Sequence, residues 1–102
     1  MKKIAKWLEI IELRTGSNNT ENLEKMLQKI VEALKNESDP RKIKIYRSYS
    51  VDSDFSIHLA HKSTEPDKRG SQLGLHLAAS LKKFGLLNHQ IWHEMKSNHK
   101  KL

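Results

Sequence analysis

The feature that most limits the fold of this chain is the order of its segments, some of which space their apolar residues as a β-strand does and others as an α-helix does. Four segments with alternating or closely spaced apolar residues predict β-strands, and two segments with apolar residues at helical spacing predict α-helices. The strands are predicted at 7–14, 43–51, 55–60 and 87–95, and the helices at 19–36 and 71–84. The order is therefore β-α-β-β-α-β, and a chain of 102 residues has room for one such domain.

Capping and turn residues mark the ends of both predicted helices. Asn18, with Glu21 three residues later, resembles a capping box at the start of the first helix. Ser71 is predicted to cap the second helix, and Gly85 to end it in a left-handed conformation. Residues 63–70 are polar and contain one proline and one glycine, so we expect an exposed connection there.

The element order predicts an α+β fold of the ferredoxin-like, split βαβ type. Right-handed crossovers fold it into a four-stranded antiparallel sheet with both helices on one face. Strand parity predicts that the helix-covered face carries Ile11, Ile43, Ile45, Phe55, Ile57, Leu59 and Ile91. The opposite face, called the open face below, is predicted to carry Leu8, Ile10, Glu12, Tyr46, Ser48, Ser56, His58, Ala60, Gln90, Trp92 and Glu94. Its apolar and aromatic members predict a partner surface, and a second copy of the chain is the simplest partner.

The net charge of +7 suggests nucleic acid or an anionic surface as a partner, so its location matters. Six lysines lie in the two predicted tails: Lys2, Lys3, Lys6, Lys96, Lys100 and Lys101. The remaining body has nearly equal numbers of basic and acidic residues, and we expect an ordered core of about 6–95 within one domain of 1–102. The third strand also lacks the glycine and the aromatic pair of RNA-binding modules with this topology. Nucleic-acid binding through the basic tails is therefore ranked third among the functions considered.

The composition excludes several classes of site and suggests a location. The chain has no cysteine, which excludes disulfides, thiol catalysis and cysteine-containing zinc sites, and agrees with a reducing cytoplasm. Lys6, Glu9 and Glu12 interrupt the apolar stretch that a signal peptide needs. No apolar run approaches the roughly 20 residues of a membrane span, so no membrane association is expected.

The hairpin IYRSYSVDSDFSIHLAHKS and the run GLHLAASLKKFGLLNHQIWHEM, in this element order, resemble small dimeric α+β barrel proteins of the antibiotic biosynthesis monooxygenase type. The resemblance covers residues 7–95. It implies a homodimer whose two open sheet faces pack against each other. Branches of this superfamily oxidise polycyclic aromatic substrates without a cofactor, degrade haem, isomerise small molecules or have no known activity. The fold alone does not select among them.

The six histidines were considered as haem or metal ligands. His76 lies on the second predicted helix, where the haem-degrading branch carries its axial histidine, but the first strand has no asparagine for a haem contact. His58 and His61 are predicted on opposite sheet faces, and four residues of strand, about 13 Å, separate His89 from His93. With no acidic residue expected to complete a set of ligands, neither a metal nor a cofactor is predicted.

The candidate site consists of His58, Tyr46, Trp92, Glu12 and Glu94 on the open face. A histidine titrates near neutral pH and can remove a proton from an activated phenol or enol, the step that cofactor-free oxygenation requires. His58 is therefore the candidate base, and the other four residues are candidate ligand contacts. The first hypothesis is a dimeric protein that binds a small organic molecule, with monooxygenase-like activity if it is an enzyme. The alternative is a non-catalytic dimerisation or interaction module, because aromatic residues are also enriched in interfaces.

Overall fold

The computed structural model describes residues 4–16, 20–37, 43–51, 53–63 and 67–95. Four strands and two helices follow in the predicted order: β1 (Ala5–Arg14), α1 (Thr20–Glu37), β2 (Ile43–Arg47), β3 (Asp54–Ser63), α2 (Gln72–Leu81) and β4 (Leu86–His93). A single 3₁₀ turn, Lys82–Phe84, joins α2 to the start of β4. The α+β, ferredoxin-like prediction is confirmed.

The four strands form one antiparallel sheet in the order β2-β3-β1-β4. β1 lies in the centre and pairs with both β3 and β4, so that Ile10 is opposite His58 on one side and Gln90 on the other. β2 and β4 are the two edge strands. Residues on β2 are therefore separated from residues on β4 by the two central strands, β3 and β1.

The core lies between the sheet and both helices, as strand parity predicts. β1 buries Ile11 and Leu13, while its even-numbered residues are partly or fully exposed. The core contains ten buried apolar residues, contributed by both helices and by the first three strands: Ile11, Leu13, Leu23, Leu27, Ile43, Phe55, Ile57, Leu59, Leu77 and Leu81. Full burial of one such side chain stabilises the fold by about 1.5–3 kcal/mol.

The structure corrects several predicted boundaries. β2 ends at Arg47, and Tyr49 and Val51 lie in the connection to β3, where Ser48 Oγ accepts a hydrogen bond from the Val51 amide. β4 ends at His93 and not at Met95. Lys6, assigned to a tail, is a residue of β1. The predicted cap Asn18 and the other five tail lysines lie outside the described residues.

The prediction for Gly85 is wrong in its conformation. Its φ of 162° is extended backbone that any residue can adopt, and the left-handed region is not used. A Cβ atom at this position would instead collide with the carbonyl oxygen of Arg14. Gly85 is needed because the start of β4 passes directly against the end of β1.

None of the helices in the described ranges is long and apolar enough to cross a membrane.

Candidate functional site

The open face is formed by the even-numbered residues of β1 and β2 and by their neighbours in register. Both helices pack against the opposite side of the sheet. Leu8, Ile10 and Ala60 form its apolar middle and are partly buried, whereas the residues Tyr46 and Trp92 are 46% and 56% exposed. The face therefore combines apolar and aromatic surface that no element of the described chain covers.

His58 and Tyr46 lie together, as predicted. The centroids of their rings are 4.7 Å apart and the rings are tilted by 56°. Nε2 of His58 is 2.9 Å from Oγ of Ser56, which fixes the orientation of the imidazole ring. His58 is half-buried, so its ring has an aromatic wall on one side and access to solvent on another.

Glu12 lies near His58 and Tyr46, in the same row of the sheet as Tyr46. Ser56 is opposite both Glu12 of β1 and Tyr46 of β2, so only β3 separates the last two residues. The side-chain amide of Asn88 donates a hydrogen bond of 3.2 Å to Oε1 of Glu12. Three of the five predicted residues are thus grouped within neighbouring rows.

Trp92 and Glu94 are not beside His58. Trp92 is on β4 and Tyr46 is on β2, so three inter-strand spacings of about 4.8 Å separate them. The Trp92 indole donates its hydrogen bond to Gln90, its neighbour on the same face. Glu94 is exposed beyond the end of β4, where its backbone amide donates a hydrogen bond to the backbone oxygen of Lys6. Strand parity predicted the correct sheet face for Trp92. Parity does not predict how far apart two strands lie in the sheet.

A groove with a volume of about 470 Å³ lies on the open face at the end of β1. This volume is within the range of small-molecule sites. Tyr46, Ser56 and Glu12 line it together with Asn88 and Asp54. Arg14 forms an ion pair with Oδ2 of Asp54, and the buried Oδ1 of Asp54 has no hydrogen-bond partner among the residues that the structure describes. The groove therefore offers one aromatic wall, several hydrogen-bonding groups and a buried acceptor.

A second cluster, which the sequence did not predict, lies on the helix-covered face around Glu9. The Glu9 side chain is 0% exposed. Nε2 of His61 lies 2.8 Å from its Oε1, and Nε2 of His89 lies 2.5 Å from its Oε2. Ser71 donates from its backbone amide to both oxygens and from its hydroxyl to Oε1 at 2.7 Å. We call these four residues the Glu9 cluster.

The electrostatics of the Glu9 cluster favour an ionised carboxylate. Burial raises the pKa of Glu9, but hydrogen bonds from His61, Ser71 and His89 lower it by more, so that the pKa of Glu9 lies below the ordinary 4.5. An ionised carboxylate can only accept hydrogen bonds, so each imidazole donates from Nε2. The cluster is therefore a buried anion surrounded by donors.

Gly70 and Gly74 leave room for the Glu9 carboxylate because they have no side chain. A Cβ atom on Gly74, in the first turn of α2, would overlap the Glu9 carboxyl group, and one on Gly70 would collide with Glu9 and His89. Gly70 also has a φ of 102°, a conformation that favours glycine. On the other side of the cluster, the Trp7 ring stacks on His61 with centroids 4.1 Å apart.

In the Glu9 cluster an acidic residue lies between two histidines of neighbouring strands. His61 is opposite Trp7 and His89 is opposite Ile11, so they reach Glu9 along opposite diagonals of the sheet. They consequently contact different oxygens from opposite sides. Within the described ranges, no three histidine, aspartate or glutamate side chains converge as a metal-binding group.

Parity was the signal that could have found this cluster. Glu9 shares the buried parity of Ile11 and Leu13, while His61 and His89 share the parity of Leu59 and Ile91. Three polar residues at core positions of three neighbouring strands indicate a buried polar group.

His76, considered as a haem ligand, is an exposed residue of α2. Its backbone oxygen accepts a hydrogen bond from the Ser80 hydroxyl.

No model of a known protein family matches this chain, and no curated protein and no solved structure is significantly similar to it.

Proposed function

We propose that this chain is one subunit of a homodimer in which two open faces meet and enclose a small organic molecule. The observation that carries the proposal is the groove on an uncovered sheet face, lined by Tyr46 and hydrogen-bonding groups beside an apolar middle. Exposed apolar surface of this kind is typical of an interaction site, and an open groove becomes a closed cavity when a second sheet covers it.

The distribution of charge on the open face supports a second copy as the partner. Lys6 and Lys62 are directly opposite each other at one end of the apolar middle, an arrangement of like charges that destabilises an isolated sheet. Glu12 lies six residues along β1, about 20 Å away, at the other end. A two-fold axis that lies between the two sheets, perpendicular to the strands, brings Glu12 of each subunit towards the lysine pair of the other. Arg14, two residues beyond Glu12 on the same face, is paired with Asp54, so Glu12 can face the lysines of the other subunit.

His58 lies beside the groove, one row from the Tyr46 that lines it, and is the candidate base of the proposed cavity. Its ring lies against Tyr46 and is oriented by Ser56. A planar substrate with an acidic hydroxyl group, lying on the Tyr46 side, would give its proton to His58. Loss of this proton leaves a phenolate with carbanion character at its ring carbons, which is the species that reacts with dioxygen when oxygenation proceeds without a cofactor, the chemistry of one branch of the resembled superfamily. Glu12 and Asn88 would hold the polar edge of the substrate.

A charge exchange tests the dimer. We expect the wild type to be a dimer at micromolar concentration. Glu12→Lys should weaken the dimer at least tenfold, because it places like charges against the lysine pair of the other subunit. Combining it with Lys62→Glu should restore most of the affinity. Sedimentation velocity across a concentration series measures the dissociation constants.

Glu32→Lys is the matched control for this experiment, since Glu32 is an exposed residue of α1 on the other side of the molecule. It should leave the dimer unchanged. A monomeric wild type at micromolar concentration contradicts the proposal. So does a double variant whose dimer is no tighter than that of Glu12→Lys.

His58→Ala and Trp92→Phe test the cavity. If His58 takes a proton from the ligand, His58→Ala should abolish the pH dependence of binding a hydroxylated bicyclic aromatic such as 1-naphthol, with an unchanged dimer constant. Trp92→Phe should alter affinity for the ligand by less than threefold, because Trp92 lies on the far edge strand. Ligand titration and sedimentation of the same variants provide both readouts. A weaker dimer with unchanged ligand binding in His58→Ala supports the interaction module instead.

A further inference from the structure

α2 is attached to the sheet in two different ways along its length. Leu77 and Leu81, in the middle and at the end of the helix, are buried in the apolar core. The first turn buries Gly74 and packs the partly buried Leu73 against the core, and in addition it is hydrogen-bonded to the sheet through Ser71 and the Glu9 carboxylate. Apolar packing is insensitive to pH, whereas contacts to a carboxylate depend on its ionisation.

Ser71 connects the Glu9 charge to the helix backbone. Its hydroxyl donates to Oε1 of Glu9 and accepts the backbone amide of Gly74 at 2.9 Å, which is the N-cap bond of α2. Its own backbone amide donates to both carboxylate oxygens at 3.2 and 3.3 Å. The anion therefore also lies at the positive end of the helix, where negative charge is favourable. Protonation of Glu9 removes this charge and part of its accepting capacity together.

We propose that the Glu9 cluster is a proton-operated latch, which holds the first turn of α2 on the sheet while Glu9 is ionised and releases it when Glu9 is protonated. Release is local, because Leu77 and Leu81 keep the rest of the helix in the core. The latch is on the helix-covered face and does not depend on the dimer or on the groove.

The neighbours of Glu9 determine the direction and range of the response. His61 from β3 and His89 from β4 are the titratable groups that contact it in the described structure, and α2 contributes the uncharged Ser71. Each imidazole donates from Nε2 to the ionised carboxylate, so the charge that operates the latch is that of Glu9 itself. Because the pKa of Glu9 is lowered in the folded state, the latch is fully closed above the ordinary carboxyl pKa. It opens as the pH falls through the lower folded value.

Residue-resolved hydrogen exchange, corrected for the intrinsic effect of pH, tests the latch. The amide of Leu75, bonded to the Ser71 carbonyl at 2.9 Å, reports on the first turn, and the amide of Leu81 reports on the core end. In the wild type, protection of Leu75 relative to Leu81 should fall at least tenfold as the pH is lowered from 6 towards the pH at which the whole domain unfolds. In Glu9→Gln, which keeps the size of the side chain but cannot ionise, the ratio should not change with pH. Glu32→Gln, an exposed carboxylate on α1, should behave as wild type.

Ser71→Ala provides a second variant if Glu9→Gln does not fold. It removes one donor to the ionised carboxylate, so the opening should move to higher pH. The proposal is overturned if the wild-type ratio is constant from pH 6 down to the acid unfolding of the whole domain. It is also overturned if Glu9→Gln keeps the acid transition, or if Ser71→Ala leaves its midpoint in place.

Discussion

Leu27→Asp and Leu77→Asp should each abolish cooperative folding. Leu27 of α1 and Leu77 of α2 are buried in the core. An aspartate at either position places an unpaired carboxylate in an apolar environment at a cost of several kcal/mol, comparable to the whole stability of a small domain. Thermal unfolding followed by circular dichroism measures the result, and the expected trace has no cooperative transition.

Gln28→Asp is the control for the Leu27 variant, since it introduces the same residue at the next, exposed position of α1. It should unfold cooperatively, with a stability change within about 1 kcal/mol of the wild type. Cooperative unfolding of both leucine variants near the wild-type temperature would contradict the packing of the helices.

Glu9→Ala should destabilise the fold by about 3–5 kcal/mol, the usual cost of removing one partner from a buried charged group. The substitution leaves the His61 ring and the Ser71 amide without their acceptor and creates a cavity under Gly74. Urea denaturation at pH 7 gives the difference in unfolding free energy.

Glu32→Ala removes an exposed carboxylate and should change the free energy of unfolding by no more than about 0.5 kcal/mol. The wild-type advantage over Glu9→Ala should also shrink as the pH falls below the ordinary carboxyl pKa, because the lowered pKa of Glu9 makes its contribution present above that value and absent in acid. A difference of less than 1 kcal/mol at pH 7 would show that the cluster contributes little to stability.

The architecture could be predicted from the sequence because each element carries its own periodic signal. The run of Ile, Leu and Trp in β1, the alternation in β3 and the leucine spacing of α2 identified the type of each element. The topology rules then predicted one antiparallel sheet with both helices on one face, and the structure adds the strand order β2-β3-β1-β4. The dimer, the ligand and the family resemblance remain predictions.

The candidate site was harder to predict because it depends on register and on strand order across the sheet. Parity alone grouped Trp92 with Tyr46, although they lie on opposite edge strands. Glu9 was considered only as an acidic residue of the first strand, although its parity with Ile11 places it in the core. Its hydrogen bonds come from residues 52, 62 and 80 positions away, and no local pattern contains them. Gly85 was misjudged for the same reason, because its neighbour is Arg14.

The two tryptophans are intrinsic fluorophores, one on each side of the sheet. Trp7 is buried on the helix-covered face and stacked on His61, and Trp92 is more than half exposed on the open face. A buried indole and a solvated one differ in emission maximum and in accessibility to a quencher such as iodide. Replacing one of them at a time by phenylalanine therefore yields two versions of the same protein, each of which reports spectroscopically on events at one side of the sheet.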